Sequence, residues 1–309
     1  MPTKSWLGTF YTRNGLILGS CIILAVLAWI FLMIVLPQIA MLDFSFSYDL
    51  PRSMQGGPED VYTLANYRYF LFGYAGNRDG YNYLDLMVFG RTLVAAVFVT
   101  IIDLILCYPI AFYLAQVARG RMARILAVAL IVPYWINEIL RAFAFRIIFG
   151  ATGIINGSLI GLGIIDSPID FVRENVALYA GLAYAYVLLM VFPIYNAIES
   201  LDRNQIEAAR DMGAPWWRIH WRVVIPFAKP GITSGCTIVF MLAAGALAAP
   251  QILGGPSSLW FTQIIYRTFF ESVNWSRGAA YAVILLVVCT LFVLLMMRIF
   301  KVKLGEIGR

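Results

Sequence analysis

Six stretches of this chain are long and apolar enough to cross a membrane, and that limits every other reading. They cover about residues 16–36, 86–117, 125–149, 176–198, 232–252 and 279–300. A bilayer core of about 30 Å takes about 20 apolar residues as a helix. Backbone polar groups in lipid must be satisfied within the segment, so six spans imply an all-α membrane protein. The composition agrees. The 309 residues are 61% hydrophobic and 13% charged, against about half and a quarter in soluble domains. The first run is too long for a signal-peptide core and meets Pro37-Gln38 without a small-residue cleavage site, so it reads as a retained span. No internal repeat, low-complexity tract or separate soluble domain is visible, and residues 1–309 read as one membrane domain.

Basic residues set the orientation. With the N-terminus inside, inner segments hold Lys4, Arg13, Arg119, Arg121, Arg124, Arg203, Arg210, Arg218, Arg222, Lys229, Arg298, Lys301, Lys303 and Arg309. The outer loops hold Arg52, Arg68, Arg78, Arg173 and Arg267. This asymmetry predicts that both termini are cytoplasmic. It also accounts for the net charge of +6 without nucleic acid as a partner. The outer loop 37–85 is rich in Tyr, Asn and Gly, and "YTLANYRYF" (62–70) reads as a short surface element.

Several chemistries are absent. Cys21, Cys107, Cys236 and Cys289 lie in apolar runs without CxxC spacing, and His220 is the sole histidine. Metal ligation and disulfides are not expected. None of Lys4, Lys229, Lys301 and Lys303 sits in a G-x-x-x-x-G-K-[ST] loop, so no ATP cradle of that type is present. There is no H-E-x-x-H and no G-x-S-x-G. A membrane enzyme is disfavoured.

The insert 201–229 stands out. Asp202 is placed to cap a short helix with Gln205 as reciprocal partner. Gly213 is placed to end that helix in a left-handed conformation. Pro215 suits the first turn of a second helix, and Pro226 and Pro230 are expected to re-aim the chain into the membrane. On that second helix Trp217 and Trp221 share a face, as do Arg218 and Arg222. Such a face suits either anionic headgroups or a protein partner.

"EAARDMGAPWWRIHWRVVIP" resembles the EAA loop of ABC importer permeases, E-A-A-x-x-x-G followed by I-x-L-P. The matching positions are Glu207, Ala208, Ala209, Gly213, Val223, Ile225 and Pro226. Val223 and Ile225 are conservative departures, and Pro215 stands where a small polar cap is common. "TLANY" (63–67), "LIVPYWINEILRAFAFRIIFG" (130–150) and "GLGIIDSP" (161–168) are similar to spermidine/putrescine importer permeases. The resemblance implies a type I ABC importer permease fold in a bacterial inner membrane. It implies a second homologous permease, a pair of ATPases and an external solute-binding protein. The ATPases would hold ATP and Mg, with no cofactor in this chain. The loop would contain the coupling helix, with Glu207, Ala208, Ala209, Gly213, Ala214, Pro215, Trp216 and Trp217 at the ATPase.

Ionisable residues inside spans are costly and default to functional candidates. Asp103, Glu138, Arg141 and Arg146 qualify, whereas Glu199 lies at a span end. Glu138 and Arg141 are spaced to pair, and Arg146 is placed to snorkel. A polyamine path would offer carboxylates and aromatic faces. Asp103, Tyr134, Trp135, Glu138, Arg141 and Tyr184 are therefore the path candidates, with Phe143 as a further aromatic. Helix packing and interfacial anchoring is the competing role for them. Two arginines in one span would repel a polycation unless neutralised, which keeps another small organic solute open as cargo. Less favoured are a stand-alone secondary transporter, which would show inverted repeats or broken helices, and a scaffold without transport.

Overall fold

A computed structural model describes residues 15–50, 54, 57, 61–74, 80–256 and 258–302. Lys4, Arg13, Arg52, Arg78, Lys303, Arg309 and the predicted cytoplasmic termini lie outside the described residues. Twelve helical elements are described: α1 (Leu16–Phe46), α2 (Ala65–Phe72), α3 (Tyr83–Val117), α4 (Gly120–Trp135), α5 (Glu138–Ile148), α6 (Ile154–Gly161), α7 (Val176–Glu199), α8 (Arg203–Asp211), α9 (Trp216–Ala244), α10 (Ala248–Leu253), α11 (Phe261–Phe270) and α12 (Trp275–Phe300). Five are single helices long and apolar enough to span a membrane, and α4 with α5 makes the sixth span as a bent pair.

Three boundaries differ from the sequence reading. The first helix does not stop at Pro37 but runs on to Phe46. The third predicted span is not one rod: α4 and α5 meet at 95°. The fifth helix begins at Trp216 and ends at Ala244, with α10 a separate short helix. Consequently Pro226 and Pro230 do not re-aim the chain. A helical proline removes the bond to residue i−4 and clashes with that carbonyl. At Pro37 and at Pro226 the preceding turn widens into a π segment, Phe31–Val35 and His220–Val224 respectively. The i−4 carbonyls belong to Met33 and Arg222, inside those segments, so the wider turn absorbs each proline.

The core is the three-helix packing of α3, α7 and α9. Leu178, Met190, Ile194, Ile198, Val99, Ala243 and Val239 are fully buried there. Lipid is as apolar as these side chains, so close packing and buried hydrogen bonds hold the helices together. Small residues permit that approach. A Cβ at Gly231 would strike the Pro193 carbonyl, and one at Gly235 would lie 2.7 Å from Met190 Sδ. At one end of the bundle, Asn66 donates to the carbonyls of Ser45 and Ser47 at 3.1 and 3.0 Å, tying α2 to the end of α1. Nearby, the Arg277 guanidinium lies 3.7 Å from the Tyr69 ring centre. Burial pushes the Tyr69 hydroxyl up to about 12, so Arg277 meets a neutral ring face and the contact is cation–π.

Candidate functional site

Two features break the regular helices: the elbow between α7 and α9, and the bend between α4 and α5. The elbow is anchored from α3. Gln116 donates to the carbonyls of Ile198 and Leu201 at 2.8 and 3.3 Å, satisfying orphan groups at the end of α7. Asp202 caps α8 by accepting the Asn204 N–H at 3.0 Å. The reciprocal bond expected of Gln205 is absent, and its side chain is exposed. Ile206 and Ala209 are buried on the inner face of α8, as is Ile219 of α9. Glu207 and Ala208 are exposed, and Met212 is 82% exposed at the tip.

The turn that follows is a Schellman motif. Gly213 N–H bonds the Arg210 carbonyl at 2.8 Å, and Ala214 N–H bonds the Ala209 carbonyl at 3.1 Å. Gly213 has φ +77°, and a Cβ added there would meet nothing within 4 Å. Conformation rather than space within this chain therefore demands glycine. Ala214 is half-buried. Pro215 is the N-cap of α9 rather than a first-turn residue, its carbonyl accepting Arg218 N–H at 2.9 Å.

Trp216 and Trp217, placed by sequence among the ATPase contacts, turn toward α3 with Trp221. They line a groove against Tyr108, Phe112 and Tyr113. His220 crosses it: its Nδ1 is 2.7 Å from the Tyr108 hydroxyl, and its ring centre lies 4.4 Å from that of Phe112. Sequence spacing did not find this link, because its partners are 112 residues apart. Tyr108 thus ties α3 to the π segment of α9 through a side-chain hydrogen bond. Tyr108→Phe is expected to keep the fold, since one such bond is worth about 1 kcal/mol. The thermal midpoint of the purified protein in detergent should fall by no more than a few degrees.

The second feature begins at Pro133. Val132–Trp135 tightens into a 3-10 turn, Ile136 is extended, and Asn137 restarts the chain as N-cap of α5, accepting Ile139 N–H at 2.9 Å. The signals for this bend, Pro133 and Asn137, are in the sequence but were absorbed into one apolar run. The bend brings Arg141 over Tyr134, with Glu138 in the first turn of α5. Arg141 Cζ lies 5.0 Å from the Tyr134 ring centre. No ion pair forms between Glu138 and Arg141: Glu138 stays exposed in the first turn, where the helix dipole favours a carboxylate, and Arg141 turns to Tyr134. Arg141 Nε and Nη1 are buried without a hydrogen-bond partner. Arg146 does not snorkel; it donates to the Ile252 carbonyl of α10. Trp135 is 83% exposed, and Phe143 is also exposed. Tyr184 packs its ring on Phe145, centres 5.1 Å apart. Tyr186, absent from the sequence candidates, is buried and donates to the Leu242 carbonyl at 3.2 Å. Asp103 sits apart, wholly buried in the α3–α7–α9 core with neither oxygen hydrogen-bonded.

Residues 88–304, which contain both features, match the family described as "binding-protein-dependent transport system inner membrane component". The chain belongs to that family. It is 32% identical over 279 residues to the spermidine/putrescine transport system permease protein PotB of Salmonella typhimurium (strain SL1344), covering 90% of this chain and 92% of that one. PotB of Escherichia coli (strain K12) is 32% identical over 276 residues, covering 89% and 95%. In structure, the chain resembles a bacterial ABC transporter involved in the import of the acidic polysaccharide alginate, with TM-score 0.71, 15% identity and coverage of 96% and 98%. That likeness speaks to the fold alone. The permease is of the type I ABC importer kind and is a multi-pass inner-membrane protein.

Proposed function

We propose that this permease forms, with a second homologous permease, the membrane path of an importer for polyamines of the spermidine/putrescine type. A periplasmic solute-binding protein delivers the cargo. A pair of ATPases holds ATP and Mg and hydrolyses the nucleotide, while this chain catalyses nothing. The likeness to PotB over nine-tenths of the chain carries the reading. The exposed outer side of α8, Glu207 and Ala208, with Met212 and Gly213 at the tip, suits docking into an ATPase cleft. The buried Ile206 and Ala209 would pass the movement on to α9, and the Tyr108–His220 bond to α3.

The bend at Pro133 supplies the features a polyamine needs. Glu138 offers a carboxylate at the surface, and Tyr134, Trp135 and Tyr184 offer aromatic faces to ammonium groups. Arg141 lies over the Tyr134 ring and forms no ion pair with Glu138. A charge-assisted hydrogen bond contributes about 1.5–3 kcal/mol, and each 1.4 kcal/mol is tenfold in affinity. Glu138→Gln is therefore expected to raise the apparent KM for labelled spermidine by about tenfold or more, leaving the maximal rate and the subunit composition largely unchanged. An unchanged KM removes Glu138 from the path.

The bend also gives a stand-alone carrier one feature that its class shows, a discontinuous helix. Family membership favours the importer. Uptake by this chain alone, without ATP, would reverse that order.

A further inference from the structure

The groove between α3 and α9 continues past the elbow. It has a volume of about 570 Å³ where Tyr108, Tyr113 and Val117 face Trp217 and Trp221. A second groove of about 470 Å³ lies between α3 and α4, lined by Ile110, Leu114, Leu126 and Leu130. Pro109 and Tyr113 line both, so the two grooves adjoin along α3 and read as one apolar track. No acidic side chain lines either part.

Arginines stand on both helices beside this track. On α9, Trp217 and Trp221 are 49% and 69% exposed, and Arg218 Cζ lies 5.3 Å from the Trp217 ring centre, with Arg222 one turn on. Arg119 is the N-cap of α4, two residues past Val117, and Arg121 and Arg124 follow, all exposed. Arg119 and Arg121 are the wrong sign for the start of a helix, whose macrodipole is positive there. No side chain caps this helix start, and no acidic residue stands in its first turn. An anion resolves that conflict. An exposed apolar track that begins among tryptophans and arginines in a membrane protein matches one class of ligand, a lipid with a negative headgroup.

We infer that the track seats an anionic phospholipid, with its phosphate between Arg218/Arg222 and the Arg119–Arg124 start of α4, and one acyl chain along Pro109 and Tyr113 toward Leu130. Trp216, Trp217 and Trp221 then belong to the membrane interface, and the tip around Met212 is left to the ATPase. None of this depends on the cargo.

The test uses the full-length chain, isolated with its companion subunits and placed in nanodiscs containing brominated phosphatidylglycerol or brominated phosphatidylcholine. Bromine quenches tryptophan emission on contact. Phosphatidylglycerol is expected to quench at least twofold more than phosphatidylcholine. The excess should vanish in Trp217→Phe/Trp221→Phe, fall several-fold in Arg218→Gln/Arg222→Gln, and survive in Arg218→Lys/Arg222→Lys. Equal quenching by the two lipids means ordinary annular contact and overturns the inference. No quenching of these tryptophans means that a second permease fills the track, and overturns it too. Loss of the excess on adding inorganic phosphate would reassign the site to a free anion.

Discussion

Replacing Gly213 with valine is expected to abolish solute-stimulated ATP hydrolysis and uptake by the assembled importer, while membrane insertion continues. Gly213 closes α8 at φ +77°. An ordinary L-residue held there costs about 1–2 kcal/mol, and a β-branched one is worse placed. At 1.4 kcal/mol per tenfold, valine should leave the turn competent less than about one tenth of the time. Asparagine tolerates the left-handed region, and no atom of this chain crowds the position. Gly213→Asn should therefore retain most of the coupling. If asparagine and valine fail alike, the glycine is needed because a partner's backbone approaches it, and the left-handed turn is not the reason. If both function, the elbow does not carry the stroke.

The second large effect concerns the core. Gly231→Leu is expected to prevent stable folding, seen as loss of most of the monodisperse protein on size-exclusion chromatography in detergent. The substituted side chain would drive α9 away from the Pro193 carbonyl and from Ala197 Cβ, 2.7 Å from the added Cβ. Overpacking typically costs about 1–3 kcal/mol, occasionally more, and here it also opens the helix pair that contains Met190 and Ile194. Gly90→Ala makes the contrasting case. Nothing lies within 4 Å of its added Cβ, and alanine in a helix interior gains about 0.5–1 kcal/mol over glycine. Its thermal midpoint should hold or rise. A Gly231→Leu protein as stable as the parent would show that α7 and α9 are not closely packed.

These two positions also show what the sequence made legible. Gly213 was readable, because a helix that ends in glycine before proline has a known local geometry, and Asp202 was readable as a cap for the same reason. Gly231 and Gly235 carried no such local signal, because their role needs the partner helix that the two glycines admit. Hydropathy located the spans but not their ends. The first turns of α9 carry Trp, Arg and His as the helix leaves the membrane, so an apolar window starts too late. Pro37 looked like a stop and Pro226 like a change of direction because a proline breaks a regular α-helix, whereas a π turn lets the helix pass. The reverse happened at Pro133: surrounding apolar residues masked a real bend, and Asn137, a good N-cap, was the signal that a new helix begins. Side-chain partners were the least legible. Glu138 and Arg141 are spaced to pair, yet the bend gives Arg141 the ring of Tyr134 instead. Tyr108 and His220 meet only after α3 and α9 pack.

The most direct test of the polyamine-importer assignment is uptake of labelled spermidine into proteoliposomes containing this permease, its companion permease and their ATPase, with the binding protein supplied outside. The expected result is uptake that requires ATP and every component, with vesicles holding this chain alone inert. Uptake by this chain alone, or a complete complex that hydrolyses ATP in response to a different solute and never carries a polyamine, would contradict it.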